Sequence, residues 1–468
     1  MSLDPISRAG GLALGLCLLA ACATEPIDRP SLEQVRRRGV FPDFPVDVEV
    51  EISSASMSIV PNLDELVRVS LARDPGIAAA FEEWRAALAR VPQIGALPDP
   101  RLTWAHFLES VETRTGPQQD RVSMAQTFPW FGKLQGRVDV AAKHADALWW
   151  NVETRRAEVV LDVHDAYYEY ARLGRDIGLT RDNLALLQSL EPVVQRRVQG
   201  GGAQAPVLQL QVEIGKLEDQ LAGLEAFRPA VAARLLTRID MDGFGELAWP
   251  DWEVPEPLPG DLVMWLREMA EGNPELRGLT EAVSREDARV TSADRESLPD
   301  VTVGVDWLRT GDARMPGVVG SGDDPFALSV GVNLPIGRAK YRAIVDEAEA
   351  GRAAARQKLE RRIDELAVVL RHVRFQHDDA FRQIGLYRDT LLPRARQALS
   401  ITQAAYAQGG AELFDVIDRQ RALLAFEQSY WRACAELGRS RARIEAILGR
   451  HRFLDTATTA STPAGDTR

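Results

Sequence analysis

Two hydrophobic rhythms alternate along this chain, and each occurs twice in the same order. Across 207–224, Val207, Leu210, Ile214, Leu217, Leu221 and Leu224 are spaced by three and four residues, which makes the seam of a helix packed on a helix. Later, Val416, Leu423, Tyr430, Leu437 and Ile444 recur every seven residues, with Ile417, Leu424 and Trp431 as a second line beside them. A strict seven-residue repeat predicts a long supercoiled helix, and two lines predict neighbours on both sides. Elsewhere the period falls to two. Val301, Val303, Val305 and Trp307 alternate with Thr302, Gly304 and Asp306; Phe326, Leu328, Val330, Val332 and Leu334 alternate with Ala327, Ser329, Gly331 and Asn333. Less cleanly, 102–108 and 122–128 do the same. These segments predict strands of about ten residues, apolar on one face and small or polar on the other. Polar loops at 110–119 and 310–324 would join them into two hairpins. Residues 338–408 are helical in composition and would reach ~105 Å if continuous, with kinks or breaks expected at Pro192 and Pro393.

The recurrence extends to individual residues. Pro75 answers to Pro274, Leu97-Pro98-Asp99 to Leu298-Pro299-Asp300, Phe128-Pro129 to Leu334-Pro335, and Gln199-Gly200-Gly201 to Gln408-Gly409-Gly410, at offsets of 199, 201, 206 and 209. A collinear series with slowly growing offset is the signature of an internal duplication. It divides the chain into a first repeat, 61–250, a Pro-rich linker, 251–260, and a second repeat, 261–450. Before them stand an expected signal segment, 1–21, and a linker, 22–60; after them comes a Thr/Ala/Ser-rich tail, 451–468, expected to be disordered.

Strands of membrane-spanning length raise a physical problem. Four strands cannot close a barrel, and an open edge in lipid leaves backbone groups unpaired. Several protomers would have to share one barrel, and three would supply twelve strands. The alternative is a soluble hairpin whose apolar face packs on its own helices. Export fits the N-terminus: residues 11–21 form an apolar run too short to span a bilayer, and Leu19-Ala20-Ala21-Cys22 resembles the lipobox of bacterial lipoproteins, with Cys22 the lipidated residue. Cys17 would leave with the signal and Cys434 would stand alone, so no intrachain disulfide is expected. A net charge of −12 disfavours nucleic acid as partner. No apolar run after the signal is long enough for a transmembrane helix.

The residues then resemble a known family. Two copies of helix, hairpin, long helix and glycine-marked turn, together with 96–100 (Ala-Leu-Pro-Asp-Pro) and 126–133 (Gln-Thr-Phe-Pro-Trp-Phe-Gly-Lys), look like the outer membrane factor family typified by TolC, lipoprotein branch. That resemblance implies a mainly α fold with a small membrane β part. The protomer would join a homotrimer with a twelve-stranded β-barrel in the outer membrane and a coiled-coil α-barrel across the periplasm. Its partners would be a periplasmic adaptor, an inner-membrane pump and outer-membrane lipid. By the same analogy Gly200, Gly201, Gly409 and Gly410 mark the periplasmic tip turns, and Asp415 and Asp418, three apart on one helix face, form a constriction that attracts cations. The competing reading is a solvated acidic turn at a helix N-terminus. The first repeat has Pro206 and Gln209 there, so an acidic ring would come from one copy only.

No enzyme chemistry is indicated. His372 and His377 are five apart rather than four, Gly320-Ser321-Gly322 lacks the flanking glycines of a nucleophile elbow, and His164 with Asp165 read as helix-surface residues. No metal site or cofactor is expected. The functional expectation is an efflux channel with heavy-metal ions as one candidate cargo, since 126–133 resembles members serving copper or silver exporters. The alternative is a periplasmic coiled-coil lipoprotein or adaptor subunit without a pore.

Overall fold

The structure, a computed structural model, describes residues 62–201, 203–237 and 247–450. Cys22, the expected signal segment, the 22–60 linker and the 451–468 tail lie outside them.

Each repeat starts with the same local device. Helix α1 (Leu63–Arg73) is capped by Asn62 and ends at Asp74, whose extended backbone suits the residue before a proline. Asp74 in turn caps α2 (Pro75–Gly95), its Oδ1 accepting from the Ile77 N–H at 2.9 Å, with Pro75 in the first turn where no N–H is needed. In the second repeat Asn273 does the same between α5 (Leu262–Gly272) and α6 (Pro274–Arg295), accepting from Leu276 N–H at 3.0 Å.

The strands are β1 (Arg101–Thr113), β2 (Gly116–Phe128), β3 (Val301–Thr310) and β4 (Phe326–Val332). They form one antiparallel sheet in the order β1-β2-β3-β4, so β2 and β3 join the repeats and β1 and β4 are open edges. The first hairpin is longer and tighter than expected. Its strands run through most of the supposed 110–119 loop, leaving Arg114 and Thr115 as the connection, because alternation continues through polar residues that an apolar count overlooks. The 311–325 loop is real.

Cross-strand partners share a face. Leu102 sits opposite Met124, Trp104 opposite Val122, Val122 opposite Trp307, Met124 opposite Val305, Val303 opposite Val330 and Trp307 opposite Phe326, so the apolar positions of all four strands fall on one side. That side is not covered by the protomer's own helices: Trp104 is 67% exposed and Leu328 71%. The soluble-hairpin alternative fails on this point. The opposite face carries small and polar groups tied across strands, including Thr127 to Thr302 at 3.0 Å and Arg121 to Asp306 at 2.7 Å.

Beyond the sheet come the long helices: α3 (Lys133–Gln199), α4 (Ala205–Thr237), α7 (Arg338–Leu386), α8 (Leu392–Ala407) and α9 (Leu413–Leu448). Pro192 does not interrupt α3, which runs on for 67 residues. Pro393 does disturb its helix. Between α7 and α8 the ladder slips into a π-helical turn, Tyr387–Leu391, in which the Leu392 N–H reaches back to Tyr387 O. The missing proline N–H and the steric bulk of its ring are absorbed by this one wide turn rather than by a break.

The heptad seams pack as expected. Leu210, Ile214 and Leu217 of α4 and Val416, Ile417, Leu423 and Leu424 of α9 lie in one buried cluster with Leu187 of α3 and Leu399 of α8. A second cluster joins Trp265, Met269 and Leu276 to Leu370, Val373 and Ile444. The Pro-rich segment is extended yet anchored. Tyr170 Oη donates to Leu247 O at 2.5 Å, Trp252 is buried between Tyr168 and Trp431, and Leu258 N–H donates to His377 Nε2 at 3.0 Å. His164 is half-buried rather than fully exposed, and burial pushes it down to about 4, so it is neutral near pH 7.

Candidate functional site

The two paired-glycine turns are built by backbone first. After α8, Gly409 N–H donates to Tyr406 O at 3.1 Å and Gly410 N–H to Ala405 O at 2.9 Å, the paired bonds of a Schellman cap. After α3, Gly201 N–H donates to Val198 O at 3.0 Å in the same manner. Gly201 (φ 96°) and Gly409 (φ 81°) are left-handed, a conformation L side chains resist. Gly200 (φ −79°) has an ordinary conformation, and Gly410 is absent from the positive-φ residues. Left-handed geometry thus falls on one glycine in each turn.

Asp415 and Asp418 both lie on the exposed side of the first turns of α9, with Val416 and Ile417 buried behind them. Their surroundings differ. One Asp415 oxygen is engaged locally, accepting the Glu412 N–H at 3.0 Å, which helps close the helix N-terminus. Among the described residues the ion-pair partner of Asp418 is the neighbouring Arg419 at 3.5 Å, both side chains 52% exposed. Geometry thus places a structural duty on Asp415 beside any electrostatic one.

Sequence reasoning missed the links that tie the two helical hairpins together. Arg197 of α3 lies 4.1 Å over the Tyr406 ring and donates to the carbonyls of Tyr406 and Ala407. Asn183 of α3 meets Gln420 of α9 in a buried hydrogen bond. Glu213 of α4 holds a two-pronged ion pair with Arg421 of α9, Nε to Oε1 at 2.7 Å. The Arg421 hydrogen bonds outweigh burial and keep the Glu213 carboxyl below its usual range. These partners are more than 200 residues apart, so no local pattern announces them; the one available signal was Gln420, which stands in register with Gln211 of the first repeat.

A third region lies where strands pass into helices. Lys133, the first residue of α3, is 3% exposed, and its Nζ sits 2.9 Å from Asp300 Oδ1, which also accepts the Trp130 N–H at 3.2 Å. Among the described residues no group of three or more His, Cys, Asp or Glu is arranged to hold a metal ion, and no helix is long and apolar enough to cross a membrane.

A sheet with one uncovered apolar face and two open edges, continued by helices of up to 67 residues, is an arrangement that suits a protomer of a membrane channel. The sequence comparisons agree. The profile of the outer membrane efflux protein family matches residues 265–450, in the second repeat. The pyoverdine export outer membrane protein OpmQ of Pseudomonas putida is 24% identical over 78% of this chain and 80% of its own length. Nodulation protein T of Rhizobium leguminosarum bv. trifolii is 20% identical over 83% of this chain and 85% of its own. In fold, the chain resembles VceC of Vibrio cholerae (TM-score 0.68, 18% identity, 83% of this chain and 96% of that one). It also resembles CusC, described in connection with transmembrane channel formation (TM-score 0.69, 15% identity, 83% and 92%). The family is one of channel-forming outer-membrane proteins of efflux systems, and the TolC-like resemblance read from the sequence is borne out.

Proposed function

We propose that three copies of this chain close one twelve-stranded β-barrel in the outer membrane, and that their coils form a conduit to a periplasmic adaptor and an inner-membrane pump. The observation that carries this reading is the pair of open edges on a sheet whose apolar face is uncovered. In lipid an unpaired edge is costly, and β4 of one copy can pair with β1 of the next while keeping the antiparallel alternation. Such a head-to-tail contact repeats until a ring closes, and three copies give a strand number within the range of such barrels. Small and polar groups on the other sheet face then line the lumen. Cys22 serves as the lipid anchor of each protomer at the membrane surface.

At the tip, threefold repetition turns Asp415 and Asp418 into two rings of carboxylates that attract cations and repel one another as the passage narrows. Heavy-metal ions are a cargo suited to that field. A relative named for pyoverdine export makes pyoverdine the competing cargo.

The test uses the purified chain in mild detergent and in planar bilayers. Light scattering should give a trimer, and single channels should favour cations and be blocked by added divalent ions. Asp415→Asn with Asp418→Asn keeps an oxygen to accept the Glu412 N–H while removing both charges. This double variant should lose selectivity and block. A monodisperse monomer with full strand content refutes the shared barrel, and unchanged selectivity and block refute the acidic rings.

A further inference from the structure

The protomer contains one complete seam between its repeats and the two halves of a second. In the complete seam β2 lies beside β3, α3 packs on α6 as well as on α2, and the buried Lys133 meets Asp300 where strands turn into helices. The duplication gives every part of that seam a counterpart. Lys133 corresponds to Arg338 and Asp300 to Asp99, through the repeated Phe/Leu-Pro…Gly-Lys/Arg and Leu-Pro-Asp segments. Likewise β2 corresponds to β4, β3 to β1, α3 to α7 and α6 to α2.

Yet these counterparts do not meet within the protomer. β4 and β1 are the two edges of the sheet, and among the described residues α7 packs on α6 without a comparable contact to α2. Arg338 and Asp99 are both exposed, and among the described residues neither side chain has an ion-pair partner. A cation stands at the end of one free edge and an anion at the start of the other.

We infer that the unpaired groups complete each other between copies: Arg338 pairs with Asp99 of the partner subunit, and β4 joins the partner's β1 with Val330 opposite Trp104 of the partner subunit. The inference rests on the shared-barrel reading and adds its register. Val330 stands 206 positions after Met124, and Trp104 stands 201 before Val305, which is Met124's partner across the complete seam. Side-chain parity supplies an independent check. Val330 and Trp104 both lie on the apolar face of their own sheet, so this register continues one apolar face around the ring. A slip by one residue would send apolar side chains to the polar face. The second copy is one residue shorter between the proline and the helix, Pro335 to Arg338 against Pro129 to Lys133, and the longer guanidinium side chain suits that difference. An arginine also accepts a carboxylate in two-pronged geometry.

The test is charge reversal on the full-length protein in mild detergent, with light scattering and the thermal loss of oligomer as readouts. Asp99→Arg and Arg338→Asp should each shift the trimer–monomer balance toward monomer by on the order of tenfold. The two together should restore most of the trimer. A double variant no better than the singles, in a protein whose wild type is trimeric, overturns the ion pair and leaves the shared barrel standing. A monomeric wild type overturns the shared barrel itself. Should the charge variants fail to fold, cysteine pairs decide the register, since the native Cys434 is buried. Val330→Cys with Trp104→Cys should oxidise to covalent trimers, whereas Gly331→Cys with Trp104→Cys should not. A trimer in which the second pair links and the first does not overturns the register.

Discussion

The turn after α3 and the turn after α8 each close on one left-handed glycine, the second of its pair in the first copy and the first of its pair in the second, but the helices that leave them are differently equipped. α4 opens on Pro206, Val207 and Gln209; α9 opens on Leu413, Asp415, Val416 and Asp418 and carries Arg421 one turn later. Reversing a chain sharply between packed helices is a local demand that both copies must meet in the same way. Charge is free to differ, because it answers to what lies across from it. In the second copy that includes the first copy itself: Arg421 reaches Glu213 and Gln420 reaches Asn183. The first copy's helices serve as the frame against which the second copy's helices are held.

The sharpest way to break that relation is to fill the contact between the copies farther along α9. Gly438 faces the Tyr168 ring of α3 so closely that an added Cβ would lie 2.2 Å from Tyr168 Cζ. Gly438→Leu should cost at least about 3 kcal/mol and abolish assembly, read as loss of the heat-resistant oligomer. Gly215→Leu on α4, where nothing lies within 4 Å of an added Cβ, should be neutral or slightly stabilising.

A smaller effect should follow from cutting the Glu213–Arg421 link. Glu213 is 9% exposed at its side chain and Arg421 49%, so solvent screening limits the pair to about 1 kcal/mol. Glu213→Gln should lower the melting temperature near neutral pH by a few degrees at most and ease opening in bilayers. Because the folded carboxyl titrates below the unfolded one, the link's contribution is present above the ordinary value of 4.5 and is lost as pH falls through the lowered one. Wild type and Glu213→Gln should therefore converge in stability in acid; a constant gap across pH would refute this account.

The smallest difference separates the two aspartates. Asp415→Ala removes an acceptor from the helix start and should cost about 0.5–1 kcal/mol, whereas Asp418→Ala should leave thermal unfolding unchanged. Equal melting temperatures would mean that the cap carries no weight.

Much of this fold could be read from spacing because its elements are long and regular. Val301 to Trp307 alternate without interruption, and the seven-residue lines on α9 are buried as their period requires. What escaped depended on partners distant in sequence or on backbone detail. The first hairpin was drawn too short because Gln118 and Asp120 keep strand geometry through pairing with Val111 and His106, a contact no composition count includes. Pro192 and Pro393 look alike in sequence, and only the helices around them decide that one is passed and the other widens the ladder. At the candidate site the paired glycines and the acidic turn were legible. The cap made by Asp415 and the ties through Arg197, Asn183 and Glu213 were not, since each needs three-dimensional contact to be defined.

The π-helical turn has a consequence for length. From Lys133 to Gly200 the chain takes 67 steps, and from Arg338 to Gly409 it takes 71. Both paths leave equivalent ends of one sheet and finish side by side, where Arg197 touches Ala407. Four surplus residues are one helical turn and ~40° more, or roughly 6 Å of rise. Two rods cut to different lengths cannot run straight between the same two levels. The surplus in the second has to be taken up by the wide π-helical turn, by lean or by bow, well away from the acidic turn itself.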